Sequence, residues 1–421
     1  MACDSPRGVL PDRSQWETMT EWVHAPELPD TLVGFNVNLD RVIAVDETLL
    51  NSPTLNAPEM GEVKRRLLES MRTCTADEWF VPDPALYSRL HAQFEGTGSL
   101  TIGGQAGVAA VHLAKIGVRY VTCIAPSIGL RTRKILQKDP RIHLPLQTQP
   151  DTPDTIHLVF EYEPGVIPVN PGTVPRGNRF IVSPVHDAST VLIPQNVHQN
   201  LYSKAGSCAR AFLSGFQYLH SEDEFAAASA MMTLLKNKSS EMKIHVEMVT
   251  VSDPQVLCGI LAKIFPCAQS AGMNEHELRL LDAQDSAESG TLSTPADLAG
   301  AAVRLCEANG LLRLHLHTYG YYLLVRRVDD CDPTKSLSSL LFTSRTLAVA
   351  SGGDRFEILP EGLTAVEQIA GEYDRGPAPG TFTNGRYFII AVPSLIARNA
   401  VRTVGFGDMI SSTAFVSDHW R

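Results

Sequence analysis

Short apolar runs alternate along this chain with stretches in which apolar residues recur every three or four positions. "TLVGFNVNLDRVIAV" opens with an apolar run that reads as a strand and breaks at Asn and Asp. "PEMGEVKRRLLESMR", residues 58–72, has helical spacing. "SLTIGGQAGVAAVHLAKIG" reads as strand, glycine turn and an alanine-rich helix ending at Gly117, and "RYVTCIAPS" as another strand. Residues 163–178, rich in Pro and Gly, are predicted to be loop. "ARAFLSGF" and "KIHVEMVTV" have the continuous apolar character of buried strands, and "DPQVLCGILAKIF" follows as a helix. "RLHLHTYGYYLLVRR" is strand-like, and "RYFIIAVPS" is a strand leading into "VGFGDMISSTAFV". Strands alternating with helices predict a mostly parallel sheet covered on both faces, with a ligand crevice at the C-terminal ends of the strands. The stretch from about 41 to 101 interrupts the rhythm and suggests a smaller domain closing over that crevice.

Length supports this division, because 421 residues exceed one compact core. Apolar residues make up 44% and charged residues 19%, a soluble balance without an apolar run of roughly 20 residues. The N-terminus lacks a secretory pattern, so a cytoplasmic protein is expected. Net charge is −10 with no basic patch, which argues against a nucleic-acid or membrane partner. An anionic ligand would have to be held locally, by a few arginines, backbone N–H groups or a metal. None of the eight cysteines forms a C-x-x-C pair, so neither a zinc nor a redox site is indicated.

Five stretches carry candidate chemistry. In "NVNLD", Asn36, Asn38 and Asp40 alternate and would share one side of an extended segment, suiting a polyhydroxylated ligand; a plain Asx-rich turn is the bland reading. "GGQAG", residues 103–107, lets backbone approach a ligand ahead of a helix N-terminus, or is only a tight turn. "HVE" puts His245 and Glu247 on one face of a strand, with Ile244, Val246 and Met248 on the other. "NEHE" sets Asn274 and Glu277 three apart at a helix start, where they can share a face or simply cap it. Two acids near a phosphate site suit Mg²⁺, which keeps several waters. In "VGFGD", Gly405, Phe406, Gly407 and Asp408 aim unpaired N–H groups at one point beside a carboxylate that can accept a proton. A helix cap would explain Asp408 but leave the second glycine without a reason.

In order along the chain, "GFNVNLD", "GGQAGVAAVHLAKIG", "IHLVFEYEPG", "PRGNRFIVS", "LSGFQ", "KIHVEMVTV", "GMNEHEL", "HTYGYYL" and "VGFGDMISSTAFV" resemble the ADP-dependent sugar kinases. These are the glucokinases and phosphofructokinases with a ribokinase-like fold. The resemblance runs from about residue 30 to the end. It implies an α/β protein: a large nucleotide-binding ribokinase-like domain of residues 1–40, 102–150 and 181–421, and a small α/β lid of residues 41–101 and 151–180. It implies Asp408 as the base and the N–H groups of Gly405, Phe406, Gly407 and Asp408 as the anion hole. Asn38, Asp40, Gly104, Gln105 and His157 match sugar-contacting positions, and Arg179 matches the arginine on the nucleotide phosphates. Glu247 and Glu277 match acids that organise Mg²⁺ through water, and Tyr322 and Leu395 are the candidates for holding adenine. The implied reaction is phosphoryl transfer from MgADP to a sugar, leaving AMP, by a monomer or small homo-oligomer.

Glucokinases of this family carry a glutamate on the lid where phosphofructokinases have a small residue. "RTCTADEWFVP" offers Glu78 there, with Asp77 beside it. Between Lys138 and Lys204 the only cations are Arg141, Arg176 and Arg179, too few for a dedicated sugar-phosphate cluster. Glucose is therefore the expected acceptor. A 6-phosphofructokinase or a bifunctional enzyme is the alternative, kept open by Lys64, Arg65, Arg66 and Arg72 on the lid helix, which otherwise form a solvated face. A sugar-binding relative without catalysis would show losses at the base or the metal acids, and Asp408, both glycines, Arg179, Glu247 and Glu277 are all present.

Overall fold

The computed structural model describes residues 10–75, 77–146, 151–165, 174, 177–193, 205–251, 253–285, 292–353, 355–398 and 405–420. Arg176, Val404 and most of the predicted loop at 163–178 lie outside the described residues. Two sheets organise the chain, one of eleven strands and one of five, and a two-stranded ribbon accompanies them. In the large sheet the strand order is Asp374–Arg375, Thr381–Thr383, Tyr387–Pro393, Tyr321–Arg327, Arg313–His317, Ser270–Asn274, Lys243–Glu247, Arg210–Leu213, Thr31–Gly34, Val121–Ile124 and Ile142–His143. The seven strands from Arg313–His317 onward are parallel, and the rest add on antiparallel. Helices cover this sheet, giving the mixed α/β class expected.

Alternation along Lys243–Glu247 separates the two layers. Ile244 and Val246 enter the main apolar cluster with Met231, Met232 and Leu235 of the helix Glu222–Lys238. His245 and Glu247 face the other way, toward the helix Phe406–Val416, as the sequence predicts. That helix packs against Gln105–Lys115 and Pro333–Ala350.

The small sheet has the order Asp77–Val81, Asn178–Pro184, Ile156–Tyr162, Asn38–Ala44, Ser99–Gly103. One face, with Ile43, Val81, Leu158, Phe160 and Val182, closes a separate core with Val63, Leu67 and Met71 of the helix Gly61–Thr73. The expected limits at 40/41, 101/102 and 180/181 each fall inside a strand of this sheet.

Two local expectations change. "NVNLD" does not end in a turn: the chain re-enters a strand at Asn38 and runs through Asp40, because neighbours on both sides complete the ladder. "RLHLHTYGYYLLVRR" is two antiparallel strands folded at Thr318–Gly320, with Gly320 at φ 96°.

The C-terminus is fixed by buried charge. Asp418 Oδ2 accepts from Arg313 Nε at 2.9 Å and Arg326 Nη1 at 2.8 Å, and Ser336 Oγ donates to Oδ1 at 2.8 Å. All three charged side chains are fully buried. Burial alone would raise the Asp418 carboxyl, but the two guanidiniums outweigh it and hold it below the usual range. Asp418→Asn leaves buried Arg313 without its ion-pair partner and Arg326 with Asp330 alone, so we expect a loss of about 3–5 kcal/mol, read by chemical denaturation at pH 7. A loss under about 1 kcal/mol would mean the pair is not what anchors this end.

Candidate active site

Four strands of the small sheet turn functional side chains to one side. Asp40 pairs with His157 and Asn38 with Gly103, while Glu78 lies on the strand beside Ser183. These residues alternate with the apolar ones buried against the helix Gly61–Thr73, so they face away from that core. Asn38 Nδ2 donates to Asp40 Oδ1 at 2.7 Å. The backbone oxygen of Asn36 accepts from the N–H groups of Ala106 and Gly107, seating the start of the GGQAG helix against it. A side chain at Gly104, φ 72°, would overlap that oxygen and the Asn38 amide, so this approach requires glycine. Gln105 Nε2 donates to the Met248 carbonyl at 2.9 Å, linking this turn to the end of the strand bearing Glu247.

Among the described residues, three buried acceptors here have no hydrogen-bond partner: Asn36 Oδ1, Asn38 Oδ1 and Gln105 Oε1. Leaving one such atom unmet costs about 1–3 kcal/mol, so three together mark a place for a ligand rich in donors.

The helix Phe406–Val416 brings the second half of the site. Gly405 is its N-cap at φ 75°, and a side chain there would run into Val108. Gly407 also has a reason: a Cβ would lie 3.0 Å from His317 Nε2. Asp408 stands at the third helical position, and among the described residues no hydrogen bond takes up its half-buried carboxylate. Burial pushes its carboxyl up to about 7; the charge of Arg179 opposes this and that of Asp40 adds to it. Asp408 is therefore within electrostatic reach of both halves.

Glu247 is 4% exposed. Its Oε2 meets His245 Nε2 at 3.0 Å and accepts from Ser411 Oγ at 2.5 Å. Burial raises its carboxyl well above the usual range, with Asp408 and Glu277 adding repulsion. His245 Nδ1 lies 2.7 Å from Ser270 Oγ, which accepts from Arg313 Nη1 at 3.1 Å. With Ser270 donating to Nδ1, His245 keeps its hydrogen on Nε2 for the Glu247 carboxylate. Glu277 meets both earlier readings. Asn274 Oδ1 accepts from its N–H at 3.0 Å, and Glu277 Oε2 accepts from Asn274 N at 2.9 Å, a reciprocal cap. Its carboxyl is nevertheless buried and raised to about 7, mainly by burial and also by Asp408.

Among the described residues, no three His, Cys, Asp or Glu side chains close on one point as a direct metal cage. Three mutually repelling carboxylates, Asp408, Glu247 and Glu277, instead suit a hydrated cation held through water.

Arg179 is half-buried, and its charge is felt at both Asp408 and Glu78. Glu78 accepts from Ser183 Oγ at 2.5 Å, and its carboxyl is raised by burial. Tyr322 is only 5% exposed, on the strand between His317 and Val392, and Leu395 is half-buried against the same apolar cluster. The sequence reading missed His186, Tyr218 and His317. His157 Nε2 lies 2.9 Å from His186 Nε2, and the His186 ring stacks on Tyr218 at 4.5 Å. His317 could have been found only as the residue ending a buried strand beside the glycine turn.

A desolvated carboxylate at a helix N-terminus, an arginine nearby and a carboxylate cluster are the kinds of parts a phosphotransferase site uses. The family profile described as "ADP-specific Phosphofructokinase/Glucokinase conserved region" matches residues 29–417, and the chain belongs to this family of ADP-dependent sugar kinases. It is 25% identical to the ADP-dependent glucose/glucosamine kinase of Pyrococcus furiosus, over 93% of this chain and 95% of that one. It is 27% identical to the ADP-specific phosphofructokinase of Thermococcus litoralis, over 91% and 95%. A solved ADP-dependent kinase in complex with fructose-6-phosphate and ADPbetaS superposes with a TM-score of 0.79 at 21% identity, over 96% of each chain.

Asp408 can accept a proton only when ionised. With its carboxyl raised to about 7, the ionised fraction falls as pH drops below that value. We expect kcat/KM to fall about tenfold per pH unit below about 7. A profile flat from pH 5 to 8 would rule out a base with this raised value.

Proposed function

We propose that this sugar kinase is a glucokinase, moving the β-phosphoryl group of ADP to the 6-hydroxyl of D-glucose. The observation that carries the reading is the cluster of unmet acceptors at Asn36, Asn38 and Gln105, with Glu78 on the same side of the small sheet. A neutral sugar supplies donors to these atoms, whereas a phosphate is acceptor-only and meets a carboxylate. The lid cations favour the same reading. Arg65 and Arg66 pair with Glu62, Arg72 pairs with Glu69, and Lys64 donates to Asn56 Oδ1, so all four are engaged on or beside their own helix. Arg141 pairs with Asp139 at 2.6 Å.

In the reaction the 6-oxygen forms a bond to the β-phosphorus and the bond to the bridging oxygen breaks. Asp408 takes the hydroxyl proton, and AMP leaves. The N–H groups from Gly405 to Asp408 stabilise the charge developing on the transferred group, and Arg179 holds the phosphates. Asp40, Asn38, Gly104, Gln105 and His157 seat the sugar, and the small sheet with its helices serves as the lid. Tyr322 and Leu395 are assigned to the adenine end. Glu247 and Glu277 would hold Mg²⁺ through water, where it would neutralise phosphate charge. The protein would work in the cytoplasm; among its described residues no helix is long and apolar enough to cross a membrane.

Fructose 6-phosphate is the second reading, because relatives named for either activity are about equally similar. AMP formation with ADP, Mg²⁺ and each sugar decides between them: glucose should be preferred, and preference for fructose 6-phosphate would overturn the assignment. Glu78→Ala should raise the glucose KM by a factor corresponding to about 1.5–3 kcal/mol, and relax rejection of fructose 6-phosphate. Kinetics unchanged on both sugars would remove Glu78 from the site. Glu247→Gln and Glu277→Gln should each raise the Mg²⁺ concentration needed for half-maximal rate, and unchanged titrations in both would refute the metal assignment.

A further inference from the structure

We propose that His186 is a positioning residue for the acceptor: it donates its Nε2–H to His157, which then presents an Nδ1–H beside Glu78. This rests on the sugar-kinase reading above. The two Nε2 atoms are 2.9 Å apart, so exactly one of them carries the shared hydrogen when both rings are neutral. Both rings are neutral at pH 7, since burial lowers His157 to about 3 and His186 to about 4. The His186 ring lies on Tyr218 at 4.5 Å and 29°, which fixes its plane, and Asn36 Nδ2 reaches the Tyr218 hydroxyl at 3.5 Å.

The direction of the shared bond follows from Glu78, whose Oε1 is 3.9 Å from His157 Nδ1. If His157 donated to His186, its Nδ1 lone pair would face the carboxylate, two acceptors turned toward each other. If His186 donates, His157 carries its hydrogen on Nδ1 and faces the carboxylate favourably. Ser183 Oγ and the charge of Arg179 both favour the ionised Glu78 against its burial. Asp187, the other charged neighbour of His186, is exposed and acts on that ring alone.

The outcome is an N–H donor and a carboxylate acceptor side by side, too far apart for a full bond to each other. A hydroxyl is donor and acceptor at once and can engage both. A phosphate oxygen can engage only the first and is repelled by the second. His186, which sits outside every motif that the sequence offered, thereby sets the preference for a hydroxyl at this place.

The test has two arms. Long-range ¹H–¹⁵N correlation spectra of the ligand-free protein at pH 7 read the tautomer without any substrate. His157 should be neutral with its hydrogen on Nδ1 and should move toward the Nε2–H form in His186→Leu. An Nε2–H tautomer or a doubly protonated ring in the wild type would overturn the proposal. In kinetics, His186→Leu should raise the glucose KM about 5- to 10-fold with kcat within about twofold. His186→Gln, which can still donate, should recover most of the loss, and in a His157→Ala background His186→Leu should add nothing. A glutamine variant as impaired as the leucine variant would reduce His186 to a packing residue and refute the idea. If the leucine variant fails to fold, the wild-type spectrum and the glutamine variant still decide. Should the wild type ignore glucose, the acceptor assignment falls, and the spectra judge the tautomer independently.

Discussion

One helix, Phe406–Val416, has to be held at both ends for this site to exist. Its N-terminus carries Asp408 into the crevice on a left-handed glycine. Just past its C-terminus Asp418 is locked between Arg313 and Arg326, out of water. Arg313 serves a second purpose through Ser270 and His245, a run of hydrogen bonds that ends on Glu247. The same buried guanidinium thus fixes the helix carrying Asp408 and orients Glu247 on the sheet beneath it. Loosening either end would displace Asp408 relative to its partners, and a displacement of about 1 Å is enough to cost a large factor in rate.

The site is polar but incomplete by its own chemistry. Asp408 raises the carboxyls of Glu247 and Glu277, Glu277 raises that of Glu247, and the charge of Arg179 reaches Asp408. On the opposite side, three buried acceptors lack donors among the described residues. Such an arrangement is unfavourable alone and favourable once a hydrated cation, phosphates and hydroxyl groups are present. Binding energy is thereby directed to ligands with that distribution of charge and donors.

Much of this was legible in the sequence. The glycine turns, the alternation in "HVE" and the spacing in "NEHE" depend on local geometry, which a single chain segment carries within itself. "NVNLD" was harder: its polar residues resemble a turn, and only the flanking strands Ser99–Gly103 and Ile156–Tyr162 make it a strand. His186 and Tyr218 left no local signal, and His317 only its place at the end of a buried strand. Their importance comes from cross-strand register and from loops meeting at the crevice, since His157 and His186 are 29 positions apart and Gly407 and His317 are joined only through the packed helix. Asp418 likewise looks like an ordinary terminal acid until two arginines, distant in the chain, enclose it. Tyr322 was chosen from an aromatic cluster where neighbouring residues face opposite ways, and it lies in the core while Tyr319 at the turn is 64% exposed.

The most direct measurement is turnover and binding in Asp408→Asn, which keeps the shape of the side chain and removes its capacity to accept a proton. If Asp408 is the base, kcat falls by roughly 10²–10⁴, with glucose and ADP affinities by calorimetry within about threefold of the wild type. Turnover within a few-fold of the wild type would contradict it and return Asp408 to a structural part in the first turn of its helix.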